Sequence, residues 1–188
     1  PSNGADLKGL LKGAFYDPNP VVMLEHKGLY WSKIAGSEEA KCIEPAEDYV
    51  VPLGKARVVQ EATESNSVTV ITYGMGVYWA KTASKDIQGK VEIIDLRTLL
   101  PLDEEAIINS VKRTNRCVIV TEEQQAMSFS RGIAGMISER CFKHLDAPVL
   151  TVGSENTVAI PLNKTLEKAM LNNAQKVKGA KVKTDKDW

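Results

Sequence analysis

Val91-Glu92-Ile93-Ile94-Asp95-Leu96-Arg97-Thr98, with Asp103 shortly after it and then Ile107, Ile108 and Val111, is the stretch on which the fold turns. The apolar run from Val91 to Leu96 reads as a strand buried on both faces. Asp103 reads as the cap of an amphipathic helix whose inner face carries Ile107, Ile108 and Val111. The same alternation repeats on either side. Strands are predicted over Ala56 to Val59, Val68 to Tyr73, Cys117 to Thr121 and Val149 to Val152. Helical stripes are predicted at Ala80, Ala83, Ser84 and Ile87, and at Phe129, Ile133, Met136, Ile137 and Cys141. A last helix is predicted at Leu162, Leu166, Ala169 and Met170, with Pro161 near its first turn. Short apolar strands separated by amphipathic helices imply a three-layer α/β/α domain with a mostly parallel five-stranded sheet.

Upstream the pattern differs. Leu7, Leu10, Leu11, Ala14 and Phe15 share one helical face, with Asp6 as the expected N-cap. Asp17-Pro18-Asn19-Pro20 ends that helix, and Val21-Val22-Met23-Leu24 then reads as a buried strand. One helix and one strand cannot make a sheet of their own. They are therefore expected to be the remnant of another α/β domain, covering residues 1–31 and detached from its native partners. In this chain they would pack on the following domain or on a second copy. From 32 to 52 periodicity vanishes, which reads as a linker. The main domain is expected over 53–188, with a flexible, lysine-rich tail from about 177.

The 188 residues carry 24 basic and 24 acidic side chains. This balance gives no field that points to nucleic acid or an anionic membrane. No apolar run reaches the length of a membrane span. Pro1 to Asp6 lacks the basic start and apolar core of a signal peptide. Cys42, Cys117 and Cys141 have neither disulfide nor zinc spacing. The latter two read as core thiols, and a cytoplasmic location is expected.

Ligands and partners of an open parallel sheet meet the loops at the carboxyl ends of its strands. Three such loops carry Gly74, Arg97, and Glu122 with Glu123. These four residues are the candidate interface, and Arg97 is expected within reach of Glu122 or Glu123 as a bidentate pair or a structural tie. Gly74-x-Gly76 lacks the third glycine of a dinucleotide loop, because Trp79 stands there. His26 and His144 have no partner at metal-ligand spacing. No nucleophile elbow or phosphate loop is present. The residues alone describe an α/β scaffold without a convincing catalytic centre.

Ordered motifs add a resemblance. They are Asp6-Leu7-Lys8-Gly9-Leu10-Leu11-Lys12 with Asp17-Pro18-Asn19-Pro20-Val21, Leu24-Glu25-His26-Lys27 with Leu29 and Tyr30, Pro52-Leu53-Gly54-Lys55-Ala56, Ile71-Thr72-Tyr73-Gly74, Asp95-Leu96-Arg97-Thr98-Leu99 with Pro101 and Asp103, Thr121-Glu122-Glu123, and Leu145-Asp146-Ala147-Pro148-Val149. Together they resemble the beta subunit of the decarboxylating component of 2-oxo acid dehydrogenases. Within it they cover the end of the pyrimidine-binding domain and the transketolase-type C-terminal domain. Leu24 to Trp31 is similar to versions with fused alpha and beta regions.

The resemblance implies an intact enzyme that decarboxylates a 2-oxo acid on thiamine diphosphate with magnesium and acylates lipoyl groups. The branched-chain acids such as 2-oxoisovalerate are favoured, with pyruvate close behind. It implies that the catalytic and cofactor-binding residues lie outside this chain, that the chain alone is inactive and binds no cofactor, and that its part is dimerisation and assembly. The implied partners are the alpha region, a second beta copy and the dihydrolipoyl acyltransferase core. Ala14, Asp17 and Asn19 match positions that hold a structural monovalent cation in some members. Two alternatives stay open: the C-terminal domain of transketolase or deoxyxylulose-phosphate synthase, and a non-enzymatic α/β interaction module.

Overall fold

A computed structural model describes residues 1–31 and 33–186. Its sheet contains β1 (Arg57–Gln60), β2 (Val68–Thr72), β3 (Val91–Asp95), β4 (Cys117–Gln124) and β5 (Leu150–Ser154), in the order β1-β3-β2-β4-β5. β2 pairs parallel with β3 and β4, β4 pairs parallel with β5, and β1 is an antiparallel edge strand beside β3. The four parallel strands thus end on one common edge.

Side chains alternate between two cores, as the pleat requires. Val70, Ile93, Val118 and Val120 face α2 (Gly76–Ser84) and α6 (Ala174–Lys186). Ile71, Ile94 and Ile119 face α3 (Glu104–Thr114) and α4 (Phe129–Cys141). Each fully buried aliphatic side chain contributes about 1.5–3 kcal/mol. The second core also holds a carboxylate. Glu92 is buried there and takes hydrogen bonds from Ser110 and Arg113, while Ser110 bonds Thr69 at 2.6 Å. The predicted core thiols are there too: Cys117 and Cys141 are buried, and burial pushes both above the usual thiol range. Cys42 is exposed.

The α/β/α domain follows the sequence reading closely. Asp103 caps α3 by accepting the Ala106 N–H at 3.2 Å, and its other oxygen accepts the Ala56 N–H at 3.0 Å. At the far end of α3, Asn115 takes the left-handed conformation that closes many helices (φ 61°).

Four expectations are corrected. Residues from 177 onward, expected as a tail, are helical: α6 runs to Lys186, and Val177 is buried against Ala80 and Val70. The lysine spacing conceals an apolar anchor, because Val177 stands between Lys176 and Lys178. Asp187, placed in that tail, lies outside the described residues. Leu162 is not part of the helix predicted for it, because α5 (Lys164–Met170) is capped by Asn163, whose side chain takes the N–H groups of Thr165 and Leu166. Asp6 is not the N-cap of α1 (Gly4–Tyr16): Asn3 caps it, and the Asn3 amide in turn donates to Asp6 at 2.8 Å.

The fourth correction concerns Val21 to Leu24. They form no strand, and Val22 is 85% and Leu24 77% exposed. Their segment runs without turn or ladder because no neighbouring strand is there to pair with it.

Candidate functional site

The N-terminal helix packs on the domain, one of the two outcomes expected for it. Asp6, fully buried in the first turn of α1, meets Arg97 at 2.6 Å and Arg57 at 3.4 Å. Arg57 also faces Asp95 at 3.5 Å, and Ser2 donates to Asp95 at 2.5 Å. The Tyr78 hydroxyl donates to the Ser2 carbonyl at 2.6 Å. Two carboxylates and two guanidiniums thereby balance in a desolvated joint, where an unpaired charge would cost several kcal/mol (about 3–5). Burial pushes the Asp95 carboxyl up, while the Ser2 hydrogen bond and the Arg57 charge pull it back. Burial, followed by the Asp95 charge, raises the Tyr78 phenol.

Arg97 sits at a backbone φ of 59°, uncommon for a side-chain-bearing residue. Its N–H is held by Asp95 at 3.2 Å, and the next N–H, of Thr98, turns back to the Leu96 carbonyl. Thr98 in turn accepts the Gly54 N–H at 3.0 Å, which ties the entry of the domain to this loop.

Arg97 does not meet Glu122 or Glu123. The strand order explains why: β2 lies between β3 and β4, so the two loops stand two strand spacings apart, about 10 Å. Glu122 is taken by His26, with Nε2 at 3.1 and 3.3 Å from the two oxygens. Glu123 accepts the Ser130 N–H in the first turn of α4 at 3.1 Å. Both carboxylates bear on Tyr73, whose phenol is pushed up to about 12 by burial first and then by the charges of Glu123 and Glu122.

Gly74, at φ 54°, faces open space, whereas a Cβ on Gly76 would fall 2.0 Å from Thr72 Oγ1. A tight strand-to-helix turn accounts for both glycines. Ala14, Asp17 and Asn19 lie in one hydrogen-bonded turn. The Asp17 N–H donates to the Ala14 carbonyl at 3.3 Å, and Asp17 Oδ1 takes the backbone and amide N–H groups of Asn19 at 2.9 and 3.0 Å.

Between the segment following that turn and the loop after β3 lies a cleft of about 580 Å³, walled by Pro20, Val22, Leu24, Tyr73, Arg97 and Leu100 among others. Sequence reasoning missed Ser2, Asp95, Tyr78 and the His26–Glu122 contact. Asp95, a carboxylate at the end of a buried strand next to Arg97, was the available signal.

A transketolase-type architecture matches on independent grounds. The family described as Transketolase, C-terminal domain covers residues 54–177, and the chain belongs to it. The chain is 39% identical over 183 residues to the 2-oxoisovalerate dehydrogenase subunit beta of Bacillus subtilis (strain 168), covering 96% of this chain and 53% of that protein. It is 37% identical over 180 residues to the pyruvate dehydrogenase E1 component subunit beta of Rhizobium meliloti (strain 1021), covering 94% and 37%. The chain thus spans about half or less of these relatives. A split gene transketolase solved as an inactive beta4 tetramer has the same fold. Its TM-score is 0.59 at 20% identity, with 74% of this chain and 45% of that one covered.

The residues present do not fit the magnesium diphosphate end of thiamine diphosphate. Among the described residues no three His, Cys, Asp or Glu side chains are grouped to hold a metal ion. The carboxylates at the edge are committed to arginine, histidine or backbone N–H partners. No described helix is long and apolar enough to cross a membrane.

Proposed function

We propose that this chain is the C-terminal region of the beta part of a thiamine-diphosphate-dependent 2-oxo acid dehydrogenase, acting on a branched-chain 2-oxo acid in preference to pyruvate. One observation carries the reading. The similarity to the dehydrogenase beta subunits reaches over 183 residues, well beyond the 54–177 domain, so it takes in α1 and the segment after it. A bare transketolase-type domain has no need of that N-terminal unit.

On this reading residues 1–31 are the end of the pyrimidine-binding domain, 32–52 a linker and 53–188 the C-terminal domain. Decarboxylation, magnesium and the cofactor belong to the rest of a whole, cytoplasmic protein. This chain supplies dimerisation and a surface for the alpha region and the dihydrolipoyl acyltransferase core. Gly74, Arg97, Glu122 and Glu123 lie along that surface. Arg97 and Glu122 act through contacts already made, fixing where the N-terminal unit sits. Ala14, Asp17 and Asn19 would serve a monovalent cation only with further oxygen ligands from outside this chain.

The test is turnover with thiamine diphosphate and magnesium, on the whole protein and on this chain. The whole protein is expected to decarboxylate 2-oxoisovalerate faster than pyruvate, and the chain alone to do neither. Turnover by the chain alone would sink the assembly role. Activity of the whole protein on sugar phosphates alone would move it to the transketolase reading.

A further inference from the structure

Residues 34–51 lie between α1 and β1, and they rest on two surfaces at once. Their first half lies on α2. Ala40 is buried with Met75 and Tyr78, Ile34 packs against the same cluster, and Glu39 pairs with Lys81. Their second half follows α1 from its first turn to its last. Cys42 Sγ takes the Ala5 N–H at 3.0 Å. Lys8 Nζ reaches Glu44 and the Pro45 carbonyl, both at 2.9 Å, and Lys12 donates to the Glu47 carbonyl.

Two glycines of α1 permit the closest approach. The Val51 N–H donates to the Gly9 carbonyl at 3.0 Å, and Val51 is buried. A Cβ on Gly9 would stand 2.5 Å from Val51 Cγ2, and one on Gly13 would stand 2.5 Å from the Val51 carbonyl oxygen. Side chains do not fit at such distances, so this face of the helix accepts the strap only while it carries glycine. Just past Val51, the Gly54 N–H goes to Thr98, and a Cβ on Gly54 would meet Pro101 Cγ at 2.9 Å. Arg97, the neighbour of Thr98, holds Asp6 of α1. The contacts close a ring, from α1 to the strap, from the strap to the loop after β3, and from that loop back to α1.

We propose that this ring is a coupling device: α1, residues 34–54 and the loop 97–101 shift and open as one body, so that a displacement of α1 is felt at the carboxyl edge of the sheet. A loose connection would let α1 move while the loop stayed in place. Here the N–H groups of Ser37, Ala40, Lys41, Tyr49 and Val51 are all hydrogen-bonded, which leaves little slack along the strap. Opening one arm alone is also opposed, because parting Asp6 from Arg97 without exposing both strands a buried charge. Contacts of this kind open in cooperative units rather than one by one. The coupling does not depend on which reaction the whole protein catalyses.

Residue-resolved hydrogen exchange on this chain reads the outcome. The amides of Val51, Gly54 and Thr98 are expected to converge on one opening as urea is raised below the unfolding midpoint. Gly13→Ala should speed all three by a common factor of about tenfold, although alanine by itself favours a helix. Gly135→Ala on α4, where a Cβ meets nothing within 4 Å, should speed none of them. Faster exchange at Val51 with Thr98 unchanged would overturn the proposal. So would a Gly13→Ala chain that behaves as Gly135→Ala does. Should Gly13→Ala fail to fold, the urea series on the unaltered chain decides: Val51 opening while Thr98 stays protected sinks the coupling, and a shared opening upholds it.

Discussion

Arg97 carries more of this structure than any other exposed-looking residue of its loop. Its guanidinium neutralises the buried Asp6, and Arg57 at 3.4 Å is the remaining cation beside that carboxylate. Arg97→Ala should therefore destabilise the chain by about 3 kcal/mol, read as a shift of the urea midpoint. Arg97→Lys should recover part of the loss.

Tyr73 gives a pH signature. Its phenol moves from 10.0 to about 12 on folding, chiefly by burial, so the fold favours the neutral form. That contribution is complete below the unfolded value near 10 and is lost as pH rises towards 12. Unfolding free energy should fall across this window, and Tyr73→Phe should flatten the slope.

The sequence placed Arg97, Glu122 and Glu123 at the right edge. Their partners were hidden because pairing depends on strand order, and the insertion of β2 between β3 and β4 is a non-local fact.

Elements were legible where a local signal and a burial pattern agreed. α3 shows this: Asp103 ahead of an Ile107, Val111 stripe gave both its start and its inner face. Asp103 does two jobs, capping α3 and holding the Ala56 N–H just before β1. Asp103→Ala should cost about 2 kcal/mol, at the high end for a cap, measured by denaturant unfolding. Asp103→Asn should keep the cap at Ala106 and lose less.

Elements failed where composition spoke louder than one buried residue. α6 reads as a tail in the sequence because lysines surround Val177. Val21 to Leu24 has the composition of a strand, but a strand needs a neighbour, and the residues of this chain do not supply one.

At the scale of the molecule, the α/β/α layers followed from periodicity alone, and the transketolase-type fold agrees with them. The joint between α1 and the sheet did not follow, because its parts come from positions as far apart as Ser2, Arg57 and Asp95. No local pattern announces a contact of that range.

The three thiols give the molecule a built-in reporter. Cys42 is exposed, while Cys117 and Cys141 are buried with their thiols raised, so a maleimide should modify one site in the folded chain and three after unfolding. Mass spectrometry of briefly labelled samples checks the count. The single reactive site is well placed for fluorescence, since Cys42 Sγ accepts the Ala5 N–H at the start of α1 at 3.0 Å. A polarity-sensitive dye at Cys42 would signal each departure of that helix from the sheet while the rest of the chain stays folded.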